Sequence, residues 1–358
     1  MTRVATALLA AAGLCSGSVA CSRAPGPLAP RWTLTKPAEE LVADPELRAR
    51  IFRALDAARS AGTDPSISKF HVRAATVIQH AGVERTILGG NSEYARVPEA
   101  IHGETSLMNH VINAVGPDAA RRAVSFIAFY GEQCGGGGSC GDCRDYLITT
   151  TRWEELLIVC GQASDHTVHV ERFARSVVSE DRFPVVASEA TGLPAARLEH
   201  LAQAAIEART GGVSLFTSAE EHLGVAALTT TGKVYRAAGA DDAAFHYRYP
   251  VGAVLQQAAT YRDYFVQAIL VAGPPGRIPR LCYRDRQYGY ESSSFNRKRG
   301  LPPIRLILVE EPEAGSSSAA SSRRYRATTF EEALPGAFSA ADFMPEAVDR
   351  FLEQRAQR

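Results

Sequence analysis

The sequence has no surplus of either charge, few methionines and tryptophans, and no long hydrophobic run after its first residues. With 39 basic against 39 acidic side chains in 358 residues, it lacks the charge that would attract a polyanion, and nucleic acid is not an expected partner. No internal stretch is long and apolar enough to cross a bilayer. Cysteine is sparse: seven residues, at 15, 21, 134, 140, 143, 160 and 282, an odd number without regular spacing. That argues against a secreted disulfide framework. Only one C-x-x-C pair exists, which leaves a four-cysteine metal knot without its second half.

What is present is an ordinary globular composition, 46% apolar and 22% charged, over a length that predicts two domains. The first 36 residues stand apart. VATALLAAAGL (4–14) follows a single Arg3, and Ser18-Val19-Ala20 precedes Cys21. This pattern fits either an exported lipoprotein leader spanning Val4–Cys21 or a poorly ordered extension, and APGPLAP after it suits a tether.

Apolar spacing predicts a helix over 45–62, two strands around a turn at Ala81-Gly82, a second helix over 99–116, and strands over 123–130 and 155–161. Helices alternating with strands imply a mixed α/β layer structure. The same order recurs: a helix over 196–212, a hairpin over 222–240, a helix over 249–268 and a strand over 303–311. Matching Ala74-Ala75 to Ala226-Ala227 and Pro98 to Pro250 gives one offset, 152 residues. A tandem duplication is therefore expected, with 1–36 as extension, 37–190 as the first domain, 191–358 as the second, and a polar insertion at 313–324.

Chemistry concentrates at CGGGGSCGDC (134–143). Cys140 and Cys143 fall at an expected helix start, where free N–H groups favour thiolate. Taken alone, the pair could be a redox dithiol, half of a zinc knot or two ligands of a catalytic zinc. The chain lacks the thioredoxin-like order and a second pair. His102 adds a third ligand and Glu104, two residues on, a base. Three protein ligands with an open fourth position are the pattern of catalytic zinc, and H-x-E with C-x-x-C is the zinc deaminase signature.

Around these residues the chain resembles the cytidine deaminase family. SKFHVRAA (68–75), GGNSEYA (89–95), IHGETSLMN (101–109), CGDCRDYL (140–147) and TFEEALPGAF (329–338) are similar to that family's motifs and span roughly 47–345. The resemblance, closest to the dimeric two-module type, implies two tandem three-layer α/β/α modules, each a mixed sheet flanked by helices. It implies one Zn2+ per chain on His102, Cys140 and Cys143, with Glu104 moving protons. Asn91 and Glu93 would bind sugar hydroxyls, and Phe70 would lie beside the base. The implied activity is hydrolytic deamination of cytidine, deoxycytidine or a related nucleoside as a free small molecule, in a cytoplasmic homodimer. Alternatives are a modified nucleoside, a nucleotide or a non-nucleoside amidine as substrate, or a non-catalytic zinc-stabilised scaffold.

The constant offset places Val254 and Gln256 opposite His102 and Glu104, and LCYRDRQ (281–287), standing where SCGDCRD (139–145) stood, places Asp285 opposite Cys143, so the second module is expected to hold no zinc. Departures from the family pattern are Ser139 before Cys140, Gly103 for Ala, Arg73 for Gly, and Tyr94 and Arg96. Arg73 and Arg96 raise the expectation of an anionic group on the substrate. Cys160 is expected to pack within a strand, Cys134 to turn away from the metal, and RDRQYGYESSSFNRKRG (284–300) to form a loop at an interface or lid.

Overall fold

In the segment Arg73–His80 the side chains divide between two apolar surroundings: Ala75 and Val77 face one layer, Ala74 and Ile78 the other. Period-two alternation with both faces apolar is what a central strand between helical layers requires. The computed structural model describes residues 32–93, 100–131, 139–212, 222–241, 247–313 and 323–356, and all statements below concern these. Residues 1–31 of the expected extension, the glycines 135–138, Cys134, Tyr94 and Arg96 lie outside them, whereas the end of that extension is ordered: Trp32 is buried and Thr33–Leu34 pair with the first sheet.

The first sheet has six strands, β1 (Thr33–Leu34), β2 (Arg73–His80), β3 (Val83–Gly90), β4 (Phe126–Gly131), β5 (Leu157–Gln162) and β6 (Thr167–Arg172), in the order β1-β6-β5-β4-β2-β3. β4 and β5 run parallel, β2 is antiparallel to both of its neighbours, and the sheet is mixed. The turn between β2 and β3 falls at Ala81 and Gly82, both with positive φ. Helix α1 (Pro45–Ala58) starts on Asp44, whose carboxylate accepts the Glu46 N–H, with Pro45 opening the first turn. It buries Ile51, Ala54, Leu55 and Ala58 on one face of the sheet. On the other face lie α2 (Gly103–Val115), through Leu107, Met108 and Val111, and α3 (Gly141–Thr150), through Leu147. Each such aliphatic side chain contributes roughly 1.5–3 kcal/mol by leaving water.

A second six-stranded sheet follows, with β7 (Val185–Val186), β8 (Gly224–Thr229), β9 (Val234–Ala238), β10 (Val266–Ala272), β11 (Arg305–Glu310) and β12 (Arg324–Thr329) in the order β7-β12-β11-β10-β8-β9. It repeats the first strand for strand, except that β7 joins its neighbour antiparallel where β1 joins in parallel. Helix α4 (Ala195–Thr210) covers one face, and α5 (Pro250–Thr260) the other. The expected helix over 249–268 thus stops early. Arg262 takes a left-handed φ of 60° just past its end, and the apolar run beyond is strand β10.

The ladders correct the constant 152-residue offset. One hairpin ladder ends on Arg73↔Gly90 and the other on Gly224↔Ala238. Superimposing them sets Ala74 on Val225, both facing the α2 or α5 layer, and Ala75 on Ala226, both facing α1 or α4. The second hairpin is also shorter, so later positions shift again. His102 caps α2 as Tyr249 caps α5. Leu107, Met108 and Val111 then match Val254, Leu255 and Ala258 in the two cores. Val254 is thus the counterpart of a core leucine, and Val251 that of Glu104.

The segment 284–300 is not a loop. It belongs largely to α6 (Tyr283–Lys298), and several of its cations are consumed internally: Arg284 pairs with Asp142 at 2.9 Å, Arg286 with Glu180 at 2.6 Å, Lys298 with Asp349 at 2.9 Å, and Arg297 with Glu331.

Candidate metal centre and pocket

Two helix starts on one side of the first sheet bring the chemistry together. His102 and Cys140 are both cap residues with extended backbone, at the heads of α2 and α3, and Cys143 lies in the first turn of α3. The His102 Nδ1 is 3.1 Å from the Cys140 Sγ and 3.2 Å from the Cys143 Sγ. Their ligand atoms all lie within 4.8 Å of one another, the only such group of three among the described residues. One imidazole nitrogen and two thiols are a donor set suited to zinc, and the convergence of these three fits one ion.

The electrostatics follow from crowding. Hydrogen bonds from Cys143 and His102 hold the Cys140 thiol well below its usual range against the opposing effect of burial. Cys143, donating to that sulfur and buried, is pushed up. His102 is raised to about 9, chiefly by its contact with Cys140. The crowding thus favours the charged form of Cys140 and of His102 over that of Cys143.

Glu104 sits in the first turn of α2 and is 8% exposed. Burial raises its carboxyl above the ordinary 4.5, and the charge on Cys140 adds to the effect. The Ser139 hydroxyl faces this carboxylate without reaching a full hydrogen bond. Gly103 is required by packing: a Cβ there would meet the Val72 side chain at 2.8 Å and the Val72 carbonyl at 3.1 Å. An alanine there would have to push that strand entry away.

These groups line a cavity of about 340 Å³ whose wall includes Phe70, Asn91, Glu93, His102, Glu104 and Cys140. Every predicted site residue except Cys143 thus faces one space, and Cys143 stands fully buried beside it. Phe70 is 40% exposed, so its ring is no core filler. Asn91 and Glu93 have additional duties. The Asn91 amide oxygen accepts the Val72 N–H at 2.9 Å, and its nitrogen donates to the Phe70 carbonyl at 2.7 Å. The Glu93 carboxylate accepts from the Ser68 hydroxyl, the Ser68 N–H and the Ile67 N–H. Burial pushes that carboxyl up, but these donors outweigh it and leave it below 4.5. Both residues therefore shape the entry to β2, where Lys69 takes a φ of 60°.

Arg73 also lines the cavity, but strand alternation puts it on the same side of β2 as Ala75 and Val77, away from the α2 layer. Cys160 lines the cavity and is disulfide-bonded, which its apolar strand context did not suggest.

Sequence reasoning missed two further groups. Phe338, from the far end of the chain, closes part of the cavity; its signal was the TFEEALPGAF match. Arg144 is fully buried and donates to three carbonyls, of Ser139 at 2.7 Å, Ser176 at 2.8 Å and Pro335 at 2.7 Å. Burial pulls its guanidinium down to about 10, which leaves it charged at neutral pH. It fixes the residue before Cys140 and ties it to two distant segments.

No family model and no curated protein matches the chain. Solved structures do. The similarity is to bacterial cytidine deaminases. That of Burkholderia pseudomallei is 24% identical, covering 36% of this chain and 94% of its own, with a TM-score of 0.30. That of Mycobacterium leprae is 22% identical over 37% and 97%, with a TM-score of 0.25. That of Mycobacterium tuberculosis is 22% identical over 32% and 85%, with a TM-score of 0.23.

Proposed function

We propose that the chain is a zinc-dependent hydrolytic deaminase of cytidine, deoxycytidine or a closely related nucleoside, releasing ammonia. The observation that carries this reading is the convergence of His102, Cys140 and Cys143 beside a buried carboxyl, Glu104, on the wall of a nucleoside-sized cavity. Zinc held by these three residues would make water a nucleophile at neutral pH. The remaining work belongs to the chain. Glu104, with its proton affinity raised by burial, takes the first proton that water gives up and passes it to the ring nitrogen, then carries the second, from the hydroxyl left on the attacked carbon, to the amine, which departs as ammonia. Phe70 offers its ring face to the pyrimidine. Asn91 keeps one N–H and a lone pair beyond its backbone bonds, and the Glu93 carboxylate keeps a lone pair beyond its bonds to Ser68 and Ile67; these address the sugar hydroxyls.

The repeated strand order supports reading the chain as two duplicated domains, with zinc in the first alone; Phe183 and strand β7 belong with the second, so its start lies before the expected boundary at 190. We further propose that two copies associate; exposed Ile101 and Tyr288 offer apolar contact, and sedimentation velocity tests it. Among the described residues no helix is long and apolar enough to cross a membrane.

The decisive experiment is zinc content together with ammonia release across a panel of nucleosides, nucleotides and non-nucleoside amidines. One zinc per chain with release from cytidine or deoxycytidine is expected. Protein without stoichiometric zinc removes the mechanism. Zinc with no release from any amine leaves a scaffold.

A further inference from the structure

The second half of the chain reaches the candidate centre through Arg284 on Asp142, Phe338 on the cavity wall and Gln287 at the Gly141 N–H, and Gln287 links two of these places. Helix α6 abuts the start of α3 so closely that a Cβ on Gly141 would lie 2.1 Å from the Tyr283 carbonyl oxygen and 2.8 Å from the Gln287 Cβ. At this contact the Gly141 N–H, one of the first-turn amides that an α-helix cannot satisfy itself, donates to the Gln287 Oε1 at 3.1 Å. The other end of the same amide donates from Nε2 to the Phe338 carbonyl at 2.9 Å. One planar group therefore joins the residue after Cys140 to the residue that closes the cavity.

The segment around Phe338 takes its other anchors from the same helix. The Tyr290 hydroxyl donates to the Ala337 carbonyl at 2.9 Å, and both Glu291 oxygens accept the Ala340 N–H at 3.1 Å. Gln287 is the member of this set that also touches α3. Only a side chain with both an acceptor and a donor can make the two bonds: glutamate keeps the first and loses the second, and methionine of similar length loses both.

We propose that Gln287 is a positioning residue that sets the Phe338 wall against the His102, Cys140 and Cys143 cluster and so governs which substrates the cavity admits. Its consequence for turnover rests on the deaminase reading above; its consequence for geometry does not.

The test compares full-length wild type, Gln287→Glu and Gln287→Met by three readouts. These are hydrogen exchange of peptides covering 337–343, the thiolate-to-metal absorption of the Co2+-loaded protein, and kcat and KM for the preferred nucleoside. Loss of a hydrogen bond of ordinary strength predicts about tenfold faster exchange of 337–343 in both variants. KM should rise by a similar factor, about tenfold, with kcat nearly kept. The cobalt spectrum should shift only in Gln287→Met, because glutamate still accepts the Gly141 N–H. Unchanged exchange at 337–343 in both variants overturns the proposal. So does a parallel fall of kcat and kcat/KM that tracks thermal stability, which is the signature of a merely structural residue. If wild type releases no ammonia, the deaminase reading fails, while exchange and the cobalt spectrum still decide the role of Gln287.

Discussion

The two halves place different chemistry at the same helix heads. In the first, Cys140 and Cys143 open α3 and meet His102 at the cap of α2, and three donors point at one space. In the second, Cys282 caps α6 by accepting the Asp285 N–H, and the Asp285 carboxylate accepts the Val251 N–H of α5 at 2.8 Å. The cap opposite is Tyr249, whose ring packs under the Arg284 guanidinium at 4.8 Å. Acid and cysteine there satisfy backbone and each other, so nothing is left over to bind an ion. The difference teaches that a metal centre in this frame is a matter of leaving donors unspent. Loss of the histidine removes a ligand, and the aspartate's bond to Val251 gives its position a structural use.

That contrast can be broken first at Glu104. Glu104→Gln should lower kcat by roughly 10³-fold with zinc content unchanged by atomic absorption, whereas Val251→Ala, at the matching place in α5, should leave kcat within a few-fold.

Next in size is Arg144. Arg144→Met strands three buried carbonyls and should cost about 3 kcal/mol or more in urea denaturation, together with weaker zinc retention against a chelator. Arg286→Met should cost stability alone, although that arginine also bridges to buried Glu180.

A pH comparison sharpens the picture further. Burial raises Asp285 from 3.8 to about 7 and Glu291 from 4.5 to about 7. Between roughly pH 4 and 7 the folded state therefore holds protons that the unfolded chain releases, and these groups make stability fall as pH rises through that window. Asp285→Asn and Glu291→Gln should each flatten the decline in urea midpoint between pH 5 and 8, and an unchanged slope would count against both shifts. The smallest effect is expected from Asp285→Cys. It recreates a C-x-x-C, yet zinc should remain at one per chain because Tyr249 offers no ligand, and stability should drop by about 1 kcal/mol with the lost bond to the Val251 N–H.

Much of this was legible in the residues. The hairpin around Ala81-Gly82, the α1 repeat in α4 and the His102, Cys140 and Cys143 set all follow from pattern and spacing. The register between the halves was not. Matching Ala-Ala to Ala-Ala and Pro98 to Pro250 ignored which face each alanine shows, and a one-residue slip in a strand reverses that face. The shortened β8–β9 hairpin carried the error on to Val254. The basic segment at 284–300 looked like a loop because serines, glycines and arginines crowd its sequence. Its helix is held by pairing and packing partners distant in sequence, such as Glu180 and Phe330. Asn91 and Glu93 were found by resemblance, but their bonds to Phe70, Val72, Ser68 and Ile67 depend on a chain path that spacing does not reveal.

Arg144 reaches the Pro335 carbonyl, 191 positions away. During synthesis, a nascent chain that already contains His102, Cys140 and Cys143 still lacks that acceptor, as well as Gln287 and Phe338. The centre is thus encoded early and finished late. Its guanidinium anchor is complete only once the ribosome has made the second sheet and the segment that follows it.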